Sequence, residues 1–183
     1  MQGDGTINAN VCNAGGKISP GCSTGILQIN GNTNLESDSI LFVEIAAVGD
    51  NDLLSISGDF QGGGELTLAF VDGYAPSQGD VFSVLSVSGL STGKFDEIRV
   101  AGLDEGFDFE STTSGGTLEI TALNDGTALL LGDVNSDGMV DLLDVASFVS
   151  RLVSGTFQGE ADINLDGAVD LLDVSLFVAL LTG

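Results

Sequence analysis

The chain divides into two parts with different hydrophobic periods. Between residues 25 and 123, apolar and polar side chains alternate in short runs that Gly, Asp or Asn interrupts roughly every 10–15 residues. Alternation with a period of two is typical of strands that bury one face. The pattern predicts strands over residues 25–29, 39–45, 52–56, 65–70, 80–87, 95–100, 107–110 and 117–121.

The C-terminal part has the period of an α-helix instead. Two apolar runs, 145–153 and 174–181, each have a Phe as their fourth residue. In a helix, each run would have one continuous apolar face. We therefore expect a mainly β protein, either a sandwich or a short β-solenoid, followed by a small C-terminal α unit.

Four segments follow from these patterns. Residues 1–34 are rich in Gly and Asn with few apolar positions, which indicates a polar N-terminal arm that could add to a neighbour's sheet. Residues 35–123 form the predicted β domain. Residues 124–131 are a short apolar connector, so the C-terminal unit, residues 132–183, is expected to pack on the β domain.

The only two cysteines lie in the N-terminal segment. Cys12 and Cys22 enclose a short, Gly-containing loop that could close on itself. A disulfide between them is the favoured interpretation, and it would place the protein outside the cytosol. Two free thiols are the alternative.

Two acidic segments of twelve residues precede the helical runs. Residues 133–144 and 162–173 lie 29 residues apart and agree at nine of twelve positions, including Asp, Asn and Asp at positions 1, 3 and 5 and Gly at position 6. A loop of this length can surround Ca²⁺ with oxygens from positions 1, 3, 5, 7, 9 and 12. The predicted ligands are Asp133, Asn135, Asp137, the Met139 carbonyl, Asp141 through a water, and Asp144, and in the second loop Asp162, Asn164, Asp166, the Ala168 carbonyl, Asp170 and Asp173.

Calcium is the cation that this set of ligands favours. Four carboxylates confined to one short loop repel one another unless a cation neutralises them. Neither loop contains Cys or His, which argues against zinc and copper. Turn formation and helix capping by Asp are the alternative explanation for one such loop, but two loops in register make it weak.

The duplicated loop and exiting helix resemble the type I dockerin family, whose two repeats carry D-x-N-x-D-G-x-x-x-x-x-D. The resemblance implies two calcium ions, two roughly antiparallel helices related by a pseudo-two-fold axis, and a cohesin-like partner. In that family, loop positions 10 and 11 contact the partner; here they are Leu142, Leu143, Leu171 and Leu172. A place in the intramolecular core is the alternative for these four leucines.

A second resemblance concerns the β region. The segment from Asp52 to Leu85, with its Gly-Asp-x-Phe turn at residues 79–82, is similar to C-terminal β modules of large bacterial surface and autotransporter-like proteins. This resemblance implies a structural or adhesive role.

Composition excludes several classes of partner. With 27 acidic and 4 basic residues, the formal net charge is -23, which disfavours nucleic acid and anionic membrane surfaces. No apolar run is long enough to span a membrane, so membrane insertion is not expected. The N-terminus lacks a basic start and an apolar stretch, so no signal peptide is visible and the sequence is expected to be a mature or trimmed form.

No catalytic motif is present, and the chain has no His. We therefore expect a non-catalytic, calcium-binding protein, extracellular or at the cell surface. Its C-terminal unit would dock to a cohesin-like protein or to other copies of the chain, in the latter case building a filament or surface layer. The alternative is a glycan-binding or scaffold-docking module of a polysaccharide-degrading, cellulosome-like system, although the absence of Trp and the single Tyr argue against a sugar-stacking cleft.

Overall fold

A computed structural model describes residues 1–182. Its strands, in chain order, are β1 (Gln2–Gly3), β2 (Gly5–Ile7), β3 (Val11–Asn13), β4 (Lys17–Pro20), β5 (Ile26–Ile29), β6 (Thr33–Leu35), β7 (Ile40–Ala47), β8 (Asp50–Asn51), β9 (Leu53–Ile56), β10 (Phe60–Gly62), β11 (Glu65–Phe70), β12 (Val81–Val87), β13 (Ser91–Gly93), β14 (Glu97–Ala101), β15 (Phe109–Ser114) and β16 (Thr117–Ala122). The helices are α1 (Asp144–Ser154), a short 3₁₀ helix (Gly159–Ala161) and α2 (Leu171–Thr182).

The strands form three sheets that the chain visits in turn. Sheet 1 has the order β1-β4-β7-β11-β14, sheet 2 the order β2-β5-β9-β12-β16-β15, and sheet 3 the order β3-β6-β10-β13. All neighbours pair in parallel except β7 with β8, β12 with β16 and β16 with β15. Stacked coils of this kind form a β-solenoid, so the prediction of a mainly β protein is confirmed and the solenoid is the arrangement it takes.

Inward-facing aliphatic residues stack from one coil to the next. On sheet 1, Ile18 lies beside Leu41, Leu41 beside Leu66, and Leu66 beside Ile98. Columns on sheet 2 repeat this arrangement with Leu27, Leu54 and Leu85 and with Ile29, Ile56 and Val87. The three sheets thus share one apolar interior, and every second residue of a strand contributes to it.

The sequence predicted a separate arm for residues 1–34, and this prediction is wrong. In the structure these residues form the first two coils of the solenoid. Two of their Asn residues, Asn10 and Asn32, occupy a corner that recurs in successive coils. The side-chain oxygen of Asn10 accepts a hydrogen bond from the Asn32 backbone N–H (2.8 Å), and that of Asn32 accepts one from Asp59 N–H (2.9 Å). Asp59 accepts one in turn from Leu90 N–H (2.9 Å). The Asn-rich composition therefore reflects stacked corners rather than an unpacked segment.

The predicted disulfide is not formed, since Cys12 and Cys22 are both free and exposed. Cys12 lies on β3 in sheet 3, where its sulfur contacts Glu36 and Asn34. Cys22 follows β4 at the corner between sheets 1 and 2. The two cysteines are close in sequence, but Cys12 lies on sheet 3 and Cys22 lies at the corner between sheets 1 and 2.

The C-terminal end of the solenoid leads directly into the helical unit. The antiparallel pair β16 and β15 extends sheet 2 beyond β12. The connector then runs along the end of β14, where the Leu129 N–H donates to the Gly102 carbonyl (3.0 Å) and Leu103 bridges Ala128. No helix in residues 1–182 is long and apolar enough to cross a membrane.

The helical unit has a small core of its own. The rings of Phe148 on α1 and Phe177 on α2 stack with centroids 4.1 Å apart and planes 12° from parallel. Val134, Ala161 and Val169 complete the buried cluster. Because the two Phe residues are 29 positions apart, as are the two acidic loops, the core itself has the symmetry of the duplication.

Candidate metal centre and docking surface

Each acidic loop is held by two buried carboxylates, at its first and last positions. In the first loop, Asp133 accepts hydrogen bonds from the backbone N–H groups of Asp137 (3.0 Å) and Gly138 (2.8 Å). Asp144, the first residue of α1, accepts them from Asn135 (3.0 Å) and Asp141 (2.9 Å). The two carboxylates thus tie the middle of the loop to the start of the helix.

The second loop repeats these contacts with nearly the same distances. Asp162 accepts from the N–H groups of Asp166 (3.0 Å) and Gly167 (2.8 Å), and Asp173 accepts from Asn164 (3.1 Å) and Asp170 (2.9 Å). The two loops are therefore structural duplicates.

Backbone conformation is duplicated as well. Position 4 adopts a left-handed conformation in both loops, with φ of 60° at Ser136 and 57° at Leu165. Position 6 is Gly in both, with φ of 87° at Gly138 and 91° at Gly167. Non-Gly residues seldom adopt positive φ, so the loop hydrogen bonds must offset the cost at position 4.

The buried carboxylates have no basic partner. Asp133, Asp144, Asp162 and Asp173 are all buried. Within the described residues the only ion pair joins Arg99 to Glu65. Burial, together with the charges of Asp166 and Asp173, raises the pKa of Asp162 to about 6 although two backbone N–H groups favour its charged form. Negative charge is thus concentrated where little solvent reaches it.

The residues of both loops fit a hard cation. Their side chains offer only carboxylate and amide oxygens, which suit Ca²⁺ better than softer metals. Within residues 1–182, no three acidic, His or Cys side chains are close enough together to form a metal site without rearrangement. Asn135 and Asn164 instead donate to Asp137 (3.0 Å) and Asp166 (2.8 Å). A bound cation would supply the missing positive charge, and the predicted ligand positions would hold it.

The duplicated geometry has a counterpart among known families. Residues 131–181 match the dockerin type I domain. Below, this segment is called the dockerin unit. Dockerin domains bind calcium and cohesins. None of the curated proteins matches the chain. The match begins after the β-solenoid and does not include it, so the resemblance of the solenoid to bacterial surface modules stays a prediction.

The four leucines at loop positions 10 and 11 lie on the surface of the dockerin unit. Leu142 and Leu143 are 77% and 68% exposed, and Leu171 and Leu172 are 78% and 63% exposed. The alternative that they form an intramolecular core is therefore wrong. Val149, Val153, Val178 and Leu180 on the helices are also exposed, so apolar surface continues from the loops along both helices. Contact with a partner stays a prediction for these residues.

One part of the dockerin unit contacts the solenoid through residues that sequence reasoning missed. Leu165 packs on the outer face of sheet 1 against Phe42, Ala69 and Ala101. The Arg99 guanidinium donates to the Leu165 carbonyl (2.8 Å) and to the Glu65 carboxylate (3.1 Å). A signal was available, because the loops differ at position 4, where Leu165 replaces Ser136.

Proposed function

We propose that this chain is a non-catalytic, exported docking protein whose dockerin unit binds two calcium ions and a cohesin-like partner. The observation that carries this proposal is the pair of duplicate loops, each with two buried, unneutralised carboxylates at the base of an exposed apolar surface. The match to the dockerin type I domain supports the same function. The β-solenoid would serve as the structural module that the docking places on a scaffold.

Calcium would act by ordering the loops rather than by chemistry. Neutralising the carboxylates favours the loop conformation in which Asp144 begins α1 and Asp173 lies in the first turn of α2. Leu142 and Leu171 each lie two residues before one of these aspartates. Ordering the loop therefore also fixes the position of the leucine pairs. The apolar pairs then present a preformed contact surface, which lowers the entropy cost of association.

Binding of the full chain to a panel of cohesin domains, with calcium and with a chelator, tests the proposal. We expect complex formation only in calcium. Replacing Leu142, Leu143, Leu171 and Leu172 together by Ala should weaken it by roughly a hundredfold or more, because apolar anchors dominate such contacts. Leu90→Ala is the matched control, since this leucine is 73% exposed but lies on the solenoid.

Two results would contradict the proposal. Equal binding with and without calcium would remove the role of the loops. Equal affinity of the quadruple variant and Leu90→Ala would remove the role of the leucines.

Self-association is a second candidate that one observation favours. Within residues 1–182, β1, β2 and β3 are the terminal strands of the three sheets, and each pairs on one side. Unpaired strand edges can accept a strand from another chain. Light scattering coupled to size-exclusion chromatography tests this: growth of assemblies with protein concentration in the absence of a cohesin supports it, and a monomer at all concentrations contradicts it.

A further inference from the structure

The second calcium loop has a contact that its duplicate lacks. Leu165 is only 5% exposed, because its side chain lies on a patch of sheet 1 made by Phe42, Ala69 and Ala101. These three residues belong to neighbouring strands, β7, β11 and β14, and are themselves buried. A loop residue of the dockerin unit thus covers outward-facing apolar side chains of the solenoid.

Arg99 fixes the backbone of the same loop. Its guanidinium joins the Glu65 carboxylate of β11 to the carbonyl of Leu165. A Cβ added at Gly167 would lie 3.1 Å from the guanidinium carbon, so the loop backbone passes directly over Arg99. Side chain and main chain of the loop are therefore both held by sheet 1.

The first loop has the same hydrogen bonds without this contact. Ser136 has the same left-handed backbone as Leu165 but is exposed. A Cβ added at Gly138 would meet nothing within 4 Å, in contrast to Gly167. The two loops share their hydrogen bonds and predicted ligands and differ in whether the solenoid supports them.

We propose that Leu165 and Arg99 are positioning residues that couple cation binding in the second loop to the seating of the dockerin unit on the solenoid. Seating requires the ordered loop, with Leu165 at positive φ and its carbonyl turned to Arg99. Cation binding favours the same ordered loop, because it relieves repulsion among the carboxylates. Two events that favour one conformation strengthen each other reciprocally.

Two consequences follow, and they rest on the proposed calcium function. The second loop binds calcium more tightly than the first, because contact with sheet 1 already orders this loop and so lowers the entropy cost of binding. Removal of calcium loosens the dockerin unit from the solenoid, although the connector still joins them.

The test is calorimetric titration of the full chain with calcium, in a background of Asp133→Ala that leaves the second loop to titrate alone. Leu165→Ser, which gives the second loop the residue of the first, should weaken its affinity by roughly tenfold or more, given the apolar area that Leu165 buries. Arg99→Gln should act in the same direction. Ser136→Ala is the matched control and should leave the affinity unchanged.

Small-angle X-ray scattering of the otherwise unmodified chain gives a second readout. Wild type should become more extended when calcium is chelated, and Leu165→Ser should resemble chelated wild type even in calcium. Fluorescence of Tyr74, which lies in the solenoid, verifies that the variants keep that fold.

The outcomes separate the two proposals. Calcium uptake that neither Leu165→Ser nor Arg99→Gln weakens, or wild-type scattering that calcium does not change, overturns the coupling and leaves the docking function intact. Absence of calcium uptake by wild type overturns both.

Discussion

Raising the pH from 5 to 8 should destabilise the β-solenoid through one buried carboxyl group. Asp52 lies directly before β9, is fully buried, and accepts hydrogen bonds from the backbone N–H groups of Gly25 (2.8 Å) and Glu44 (3.0 Å). Burial raises the pKa of Asp52 to about 7, against the opposite effect of these hydrogen bonds, and the charges of Glu44 and Asp4 raise it further. In the unfolded chain the pKa of this carboxyl group is about 3.9.

The sign follows from the protons bound in each state. Between pH 3.9 and 7, folded Asp52 keeps a proton that the unfolded chain has released, so the free energy of unfolding falls as the pH rises. At about 1.4 kcal/mol per pKa unit, the whole effect is about 4 kcal/mol. Roughly 3 kcal/mol of it falls between pH 5 and 8.

Urea denaturation at fixed free calcium, followed by tyrosine fluorescence, measures this effect. Tyr74 is the only Tyr, the chain has no Trp, and Tyr74 packs on Phe70 in the solenoid, so the signal reports on that domain alone. Asp52→Asn should flatten the pH profile, with a smaller slope remaining because burial also raises the pKa of Glu44. Exposed Asp38, changed to Asn, is the control and should keep the wild-type profile.

The reasoning is refuted if Asp52→Asn keeps the wild-type slope between pH 5 and 8. It is also refuted if wild type becomes more stable over that interval, since the sign would then be that of a carboxylate stabilised in its charged form.

Two further predictions concern the dockerin unit. Asp133→Ala and Asp162→Ala should each remove one of two calcium-binding events in calorimetric titration, because each removes a first-position ligand that also holds two backbone N–H groups; an unchanged two-site isotherm would show that the ligands are assigned wrongly. Phe148→Ala should lower the free energy of unfolding of this unit by about 3–5 kcal/mol, since it empties half of a stacked pair in a small core. Helical circular dichroism during denaturation measures that loss, and a change below about 1 kcal/mol would mean that the stacked rings are not its core.

Short-range patterns were sufficient for much of the fold. Strands with several alternating residues, such as β7, β11 and β12, were predicted within one or two residues of their ends. The duplicated conformation of the two acidic loops was predictable because all their predicted ligand positions lie within twelve residues. These features depend on interactions that a local stretch of sequence contains.

Sheet 3 shows what local patterns miss. Its strands β3, β6, β10 and β13 have three residues each, too few for alternation to be recognised. These strands pair with the strands of neighbouring coils, and Asn and Asp side chains link the successive corners that precede them. Without sheet 3 in view, residues 1–34 resembled an arm and a sandwich was as plausible as a solenoid.

The contacts of Leu165 and the separation of the cysteines were hidden for a related reason. Arg99 and Leu165 are 66 positions apart, and only the completed stack of coils brings them together. Cys12 and Cys22 are close in sequence, but the chain turns between them, so Cys12 lies on sheet 3 and Cys22 lies after β4 of sheet 1. Proximity along the chain was a poor guide in both cases.

The stacking of coils has a consequence for how this domain assembles itself. Paired residues on sheet 1 are 23, 25 and 32 positions apart for Ile18 with Leu41, Leu41 with Leu66, and Leu66 with Ile98. Each coil contacts the preceding coil through residues a few tens of positions away in sequence. Folding can therefore nucleate at an interior coil and propagate to its neighbours in both directions.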